Sequence, residues 1–473
     1  MIATIARREM LLQARDGRLL VTGLLVIVLI GAAVIAGWRD HARGEQERSL
    51  FAERSYAQWL DQPPKHPHRA ASFGIYVAKP ESPLAIFESG LRPHAGRTLW
   101  LEAHSQTAFS HAPADDDLAA SAGLGERSGA ALLQLLGALL ALVLGALSVA
   151  RERETGQLRQ ILAQNVSAAR WVAGKYVGLA AAMAVPLLPL AIVVMALLLT
   201  VAEAGERADT VLRAFAAFVG NGVFLLAMLA VGMTISILVR SSRTALVAAL
   251  AIWVASSLLA PRVAAHLART LAPTPDAATY AKAIGTEFAT GFEGEPGWDE
   301  RLKRLERATL ERYRVASLDD LPIGFSGLRM HAMSEWSDRI AERQYARLLA
   351  IYRRQERIRM AAVAVSPAIA ARSFSHGMAG MDWPHYRHFA DAAEHYRRGF
   401  NTVMNDLIVE RTRGDAWEML ADRDDWARVS RFVYQPPSAG WALQQAVVPA
   451  SLLMVWLFAG WSLLWIAARR LRP

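Results

Sequence analysis

Histidines and carboxylates between Asp382 and His395 are the first groups that could do chemistry. His385 and His388 stand three apart on an expected helix. His388, Asp391 and His395 then fall near one face, at three- and seven-residue spacings. Asp382 and Glu394 lie close in sequence. Imidazole with carboxylate suits zinc or copper. The same residue types also cap helices, pair with arginines such as Arg387 and Arg397, or face water. That structural reading is preferred, so no metal is expected, and His385, His388, Asp391 and His395 are the candidates if one binds. His66, His68, His94 and His104 form a weaker set. A shared site would need the two regions to converge.

Catalytic patterns are missing. Ala173-Gly174-Lys175 lacks the earlier glycine and the following hydroxyl of a phosphate loop. There is no H-E-x-x-H and no G-x-S-x-G. The chain has no cysteine, which removes disulfides, cysteine metal sites and thiol nucleophiles. The chain is therefore expected not to be an enzyme and to bind no cofactor itself.

The most informative segment is RERETGQLRQILAQNVSAARWVAGK, residues 151–175. Glu152, Arg153 and Glu154 make it charged and helix-prone, and Thr155 and Gly156 interrupt it. Leu158, Ile161 and Leu162 follow as an apolar stripe at helical spacing. Such a stripe can seat in a groove on a soluble partner. The alternative is a basic loop that only sets topology.

Two apolar stretches flank that segment, and four more occur elsewhere. A helix needs about 20 apolar residues to cross the hydrocarbon core. Six qualify: Leu19–Gly37, Gly129–Ala150, Trp171–Val201, Val211–Val239, Thr244–Ala260 and Trp441–Ala468. Pro186 and Pro189 are expected to kink the third, and Pro261 to end the fifth. The first is read as a retained anchor rather than a signal peptide. Composition agrees: 53% of the 473 residues are apolar, yet 20% are charged, and the mean hydropathy is +0.20. The net charge of +9 reads as basic span flanks, not as a nucleic-acid surface. Gln134 and Asn221 are the notable polar groups within the spans. Interhelix hydrogen bonding is their preferred role and substrate contact the alternative. True charges within spans are read as nearly absent, which argues against proton-coupled transport. Gly220 and Gly222 are expected to allow close packing.

Short-loop charges set the orientation. Arg7, Arg8, Arg15 and Arg18, then Arg151, Arg153, Arg159 and Arg170, then Arg240 and Arg243, and finally Arg469, Arg470 and Arg472 fall on one side. The short loop with Glu203, Glu206 and Asp209 falls on the other. Both termini, including the tail 469–473, are thus expected in the cytoplasm, and regions 38–128 and 261–440 outside, periplasmic in a Gram-negative cell. The expected fold class is a polytopic α-helical membrane protein with six spans and two large periplasmic insertions. The first insertion is mixed α/β, with strands at Phe73–Val77 and Thr98–Leu101 and a linker at Ala114–Ala122. The second is mainly helical, with helices at Asp299–Val315, Ser334–Met360 and Pro384–Glu410.

The loop at 151–170 resembles the cytoplasmic loop of ABC permeases of the second exporter type, the class with the ABCG-like (type V) fold. Their Glu-Arg-Glu-x-Gly-Thr-Leu-like signature, Pro/Ser turn and Gly-Lys match Glu152, Arg153, Glu154, Thr155, Gly156, Leu158, Ser167, Gly174 and Lys175. Thr before the glycine, Gln157 after it and Asn165 near the usual proline depart from the pattern. The start IARREMLLQARDGR, within 1–18, resembles the family's interfacial elbow helix, its plain alternative being a basic flank. Outer segments such as HPHRAASFG, GFSGLRMHAMSEW and SPAIAARSFSHGMAGMDWPHYRHF resemble a subfamily defined by a domain of unknown function.

The resemblance implies that 151–170 is a coupling loop seated on a separate ATPase, which holds the ATP and Mg. It also implies a second permease copy or a similar subunit, with spans two and five lining the interface and pathway. Membrane lipids and a periplasmic protein are further expected partners, and nucleic acid is not. The function it implies is export across the bacterial inner membrane. The rival is an ATPase-driven mechanochemical or assembly platform that acts on a periplasmic protein or metalloenzyme client without moving a solute.

Overall fold

The computed structural model describes residues 1–15, 17–91, 98–103, 128–164 and 166–471. His94, His104, Asn165 and the Ala114–Ala122 linker lie outside the described residues. Among these residues six helices are long and apolar enough to cross a membrane: Val21–Leu60, Gly129–Glu154, Ala168–Val201, Ala204–Leu238, Ser242–Leu271 and Val447–Ala468. In a bilayer every backbone polar group must be satisfied within the chain, and the helix does this locally.

Helix α1 (Ile2–Arg15) is amphipathic and precedes α2 (Gly17–Leu60). The apolar stretch of α2 stops near Gly37, but its helix does not. The following polar residues are good helix formers, no proline occurs before Pro63, and Arg48 pairs with Glu45 along the helix surface. Beyond it, β1 (Ile75–Ala78) pairs antiparallel with β2 (Thr98–Leu101), setting Tyr76 opposite Trp100. The first strand starts two residues later than the β-rich run Phe73–Val77, because Gly74 adopts a left-handed φ of 72°.

The second span consists of the turn Gly129–Leu132, a π-turn at Leu133–Gly137 and α3 (Ala138–Glu154). A short helix, α4 (Gln157–Ala163), leads to α5 (Ala168–Val201) and α6 (Arg207–Leu238). Both Pro186 and Pro189 lie inside the unbroken α5. The fifth span starts as α7 (Ser242–Trp253) and does not end at Pro261. A π-turn at Val254–Leu259 hands over to α8 (Ala260–Leu271), and Pro261 sits in its first turn. Proline is tolerated there because that N–H needs no intrahelical acceptor.

The polar region before the last span holds α9 (Ala277–Thr290), the two-residue strands β3 (Gly291–Phe292) and β4 (Glu295–Pro296), α10 (Trp298–Tyr313) and α11 (Phe325–Ala361). Then come α12 (Pro367–Ala379), α13 (Trp383–Arg411), α14 (Ala439–Gln445) and the last span, α15 (Val447–Ala468). Helices α10, α11 and α13 lie close to the three read from periodicity, although α11 begins nine residues earlier than Ser334. Helix α12 has a different role. At 13 residues it is too short to cross a membrane, yet most of it is buried in the same apolar core as the spans, against α6 and α15.

Four apolar clusters form among the described residues, and the largest joins the spans with α12. In the polar head, made of the far end of α2, β1, β2 and the elements from α9 to α13, α2 packs on α13 through Trp59, Phe400 and Met404, and the Trp59 indole donates to the Trp426 carbonyl at 2.9 Å. The tightest seam between spans is α3 on α6. A Cβ on Gly145 would lie 2.6 Å from the Met233 amide, and one on Gly232 would overlap the Leu142 carbonyl. Glycine lets these backbones touch.

Candidate coupling site

The charged turn after the second span is built by helix termination. The Thr155 and Gly156 amides donate back to the Arg151 and Arg153 carbonyls, closing α3. Gly156 has φ +73°, a left-handed conformation that glycine adopts without a Cβ penalty. The chain thereby reverses into α4 within two residues.

The three charged residues before that turn reach three different places. Glu152 accepts from the Lys175 ammonium at 2.8 Å, and Lys175 also donates to Glu9 of α1 at 2.8 Å. Lys175 is 2% exposed and Glu9 5%. Gln13 donates to the other Glu9 oxygen at 3.0 Å. One cation thus joins α1, α3 and α5. Arg153 donates to the carbonyls of Ile237 at 2.9 Å, Ser236 at 3.4 Å and Val239, so it caps the C-terminal end of α6. Those carbonyls lack intrahelical donors and carry partial negative charge. Glu154 accepts from the Ser242 amide at 2.8 Å and its hydroxyl at 2.6 Å, at the N-terminus of α7. A carboxylate there meets unpaired N–H groups.

The apolar stripe of α4 points inward. Leu158 is 4% exposed, and Ile161 and Leu162 pack half-buried on the core of the spans. At the end of an apolar bundle this is the cheaper arrangement, because the chain removes its own leucines from water. The face left open is Gln157, Arg159, Gln160 and Ala163.

Close approach of α1 to α5 relies on Gly174 and Gly178. A Cβ on Gly174 would lie 2.7 Å from the Ile5 Cβ, and one on Gly178 2.6 Å from the Ala6 carbonyl. Deeper in the bundle, Gln134 donates to Asn221 at 3.0 Å, and Asn221 donates to the Ala217 carbonyl at 2.9 Å. The two polar side chains join the second span to α6. Gly220 faces the Phe374 ring of α12, whereas a Cβ on Gly222 would meet nothing within 4 Å.

The four histidine and carboxylate candidates do not converge. His385 lies between Asp382, 2.5 Å from Nδ1, and Arg213, 3.3 Å from Nε2. His388 meets the Tyr434 hydroxyl at 2.9 Å, and burial pushes its imidazole pKa down. Asp391 faces Arg387 at 3.4 Å; burial raises its pKa and Arg387 opposes that. His395 is exposed, in a cleft shared with Tyr345 and Arg398. His66 stacks on Trp417, centroids 4.1 Å apart, and accepts from the His68 amide at the start of a short helix. Among the described residues, no group of three or more His, Cys, Asp and Glu is arranged to hold a metal ion.

The expected spans were read as nearly free of charge, yet they hold two buried cations: Lys175, noted only for its Gly-Lys match, and Arg213, not singled out. The signals were the Gly-Lys pair for the first and the four-residue spacing from Asp209 for the second.

Comparison with known proteins agrees with this architecture. A family model described as ABC-2 family transporter protein matches residues 3–318, well over half of the chain. A second, described as a domain of unknown function (DUF3526), matches residues 277–435, ahead of α15. No curated protein and no solved structure matches the chain. A multi-pass helical membrane subunit, not itself catalytic, is what this family supplies, with an ATPase as its implied partner. The chain belongs to the ABC-2 transporter family, as a permease that carries an additional domain before its last span.

Proposed function

We propose that this chain is the permease half of an ATP-driven exporter of the bacterial inner membrane, with the ATPase on a separate chain that seats on the open face of α4. The observation that carries the proposal is the wiring of Glu152, Arg153 and Glu154. Three consecutive residues tie the turn before α4 to α1 and α5, to the end of α6, and to the start of α7. A push on α4 therefore reaches several spans at once. Rigid-body rocking of spans is an established way to turn such a push into access at the far side. Arginine-rich short segments support cytoplasmic placement of both termini and of α4, with the polar head periplasmic. A second permease copy completes the pathway.

A second proposal keeps the same coupling residues but moves no solute. Helix α12 of the head is buried among the spans, so span movement would shift the head directly. ATP-dependent uptake of solute into inverted vesicles favours export; an ATP-cycling complex in solute-tight vesicles favours a mechanical platform.

Co-purification tests the shared part. With the cognate ATPase co-expressed, Arg159→Glu plus Gln160→Glu on the open face of α4 lowers ATPase recovery in detergent by about tenfold, on the order of 1.4 kcal/mol. The variant still inserts, because neither side chain is buried. Equal recovery by wild type and variant contradicts docking at α4.

A further inference from the structure

Helix α6 is held by an arginine at each end. It runs 32 residues without proline, about 48 Å at 1.5 Å per residue. At one end Arg153 grips the Ser236, Ile237 and Val239 carbonyls. Near the other end stands Arg213, 5% exposed. Its Nε donates to Asp209 at 2.6 Å and its Nη2 to the Pro437 carbonyl at 2.6 Å. Its Nη1 donates to the Met378 carbonyl at 3.3 Å and faces His385 Nε2 at 3.3 Å. Asp209 also accepts from the Ala439 amide, at the start of α14.

One guanidinium therefore holds the last turn of α12, the first turn of α13 and the segment that leads into the last span. The His385 contact fits a neutral ring with its proton on Nδ1, facing Asp382, so that Nε2 accepts from Arg213. Lys79 closes the same corner by donating to the Gly380 carbonyl at 3.1 Å, between α12 and α13. A lysine could not replace Arg213, because only the planar five-donor fork reaches acceptors in several directions. Between the two arginines, α6 is braced by the Gln134–Asn221 bond and by the Gly145–Gly232 seam.

We propose that α6 is a strut carrying motion from the charged turn beside α4 to the head, and that Arg213 is the positioning residue that delivers it to α12, α13 and the lead into α15. This rests on the permease reading. Axial or tilting motion imposed through Arg153 moves a helix whose hydrogen bonds are internal, and the far clasp passes it on. The head then responds to nucleotide bound some 50 Å away, a distance on the order of the strut length.

The test uses the full permease–ATPase complex in lipid nanodiscs. The chain has no cysteine, so nitroxides attach only at engineered positions. One pair, Gln164 with Ile192, reports the coupling end beside the docking face, and a second, Thr402 with Ile192, reports the head; all three side chains are exposed. Pulsed distance measurements are made with and without ATP. In Arg213→Gln the ATP-driven change at Gln164 persists, while that at Thr402 falls about fivefold or more. Gly222→Pro interrupts the strut without touching either clasp and gives the same split. Gly222→Ala, whose Cβ enters open space, behaves as wild type. If Arg213→Gln fails to insert, the comparison of Gly222→Pro with Gly222→Ala decides alone. A wild-type response at Thr402 in both disruptive variants overturns the strut, as does equal loss at both ends in an intact complex. Absence of any ATP-driven change at Gln164 in the wild type instead contradicts the permease reading itself.

Discussion

Lys175→Met destabilises the inserted chain by about 3–5 kcal/mol, the usual cost of removing one partner from a buried ion cluster. The lysine is 2% exposed and bonds two carboxylates at 2.8 Å each, so its loss leaves the buried Glu9 facing the half-buried Glu152 without the cation between them. Like charges in a low-dielectric site repel, and Glu9 cannot reach bulk water without moving α1 off α5. Adding Glu9→Gln and Glu152→Gln to Lys175→Met recovers most of the stability, because replacing a whole buried cluster by neutral groups is far cheaper than orphaning part of it. Unfolding in mixed micelles measures both. The triple variant separates stability from coupling: it inserts, yet it no longer ties α3 to α1 and α5 electrostatically. Near-wild-type stability of Lys175→Met contradicts the cluster.

Gly232→Val is the second large effect. Its Cβ would overlap the Leu142 backbone carbonyl, and a backbone atom cannot rotate aside as a side-chain end can. Helices α3 and α6 must part, at a cost of about 1–3 kcal/mol or more. The separation also reaches function. Ser236, one turn further along, accepts from the Val149 and Ala150 amides at 2.9 and 2.8 Å, and the Arg153 clasp begins at the Ser236 carbonyl. Gly222→Val is the control on the same helix, because its Cβ enters open space. Gly232→Val is expected to unfold at lower denaturant and to lose permease-stimulated ATP hydrolysis, while Gly222→Val does neither. Equal behaviour of the two variants contradicts the seam.

Hydropathy made the six candidate spans legible because lipid demands long apolar helices. It was silent where helix and membrane part company. Helix α2 continues past Gly37 as a polar helix to Leu60, and the fifth span continues past Pro261 because a π-turn precedes the proline. Helix α12 is apolar but 13 residues long, so no span-length window reveals that it lies among the spans. The charged turn was legible as a unit, but its partners were not. Glu9 and Lys175 are 166 residues apart, and periodicity carries no information about such pairs. The leucine stripe of α4 was legible as a stripe. Which surface covers it depends on where the bundle ends, and there Leu158 found its own chain. Gln134 and Asn221, 87 residues apart, stood out as polar groups in lipid, where a partner is the natural outcome.

Cysteine cross-linking to the co-expressed ATPase in native membranes tests the central claim most directly. The permease has no cysteine of its own, so single replacements at Gln160 and at Leu158 report opposite faces of α4. The account predicts an ATPase adduct from Gln160→Cys, changed by nucleotide, and little or none from Leu158→Cys. No adduct at Gln160, or an equal adduct at Leu158, would contradict it.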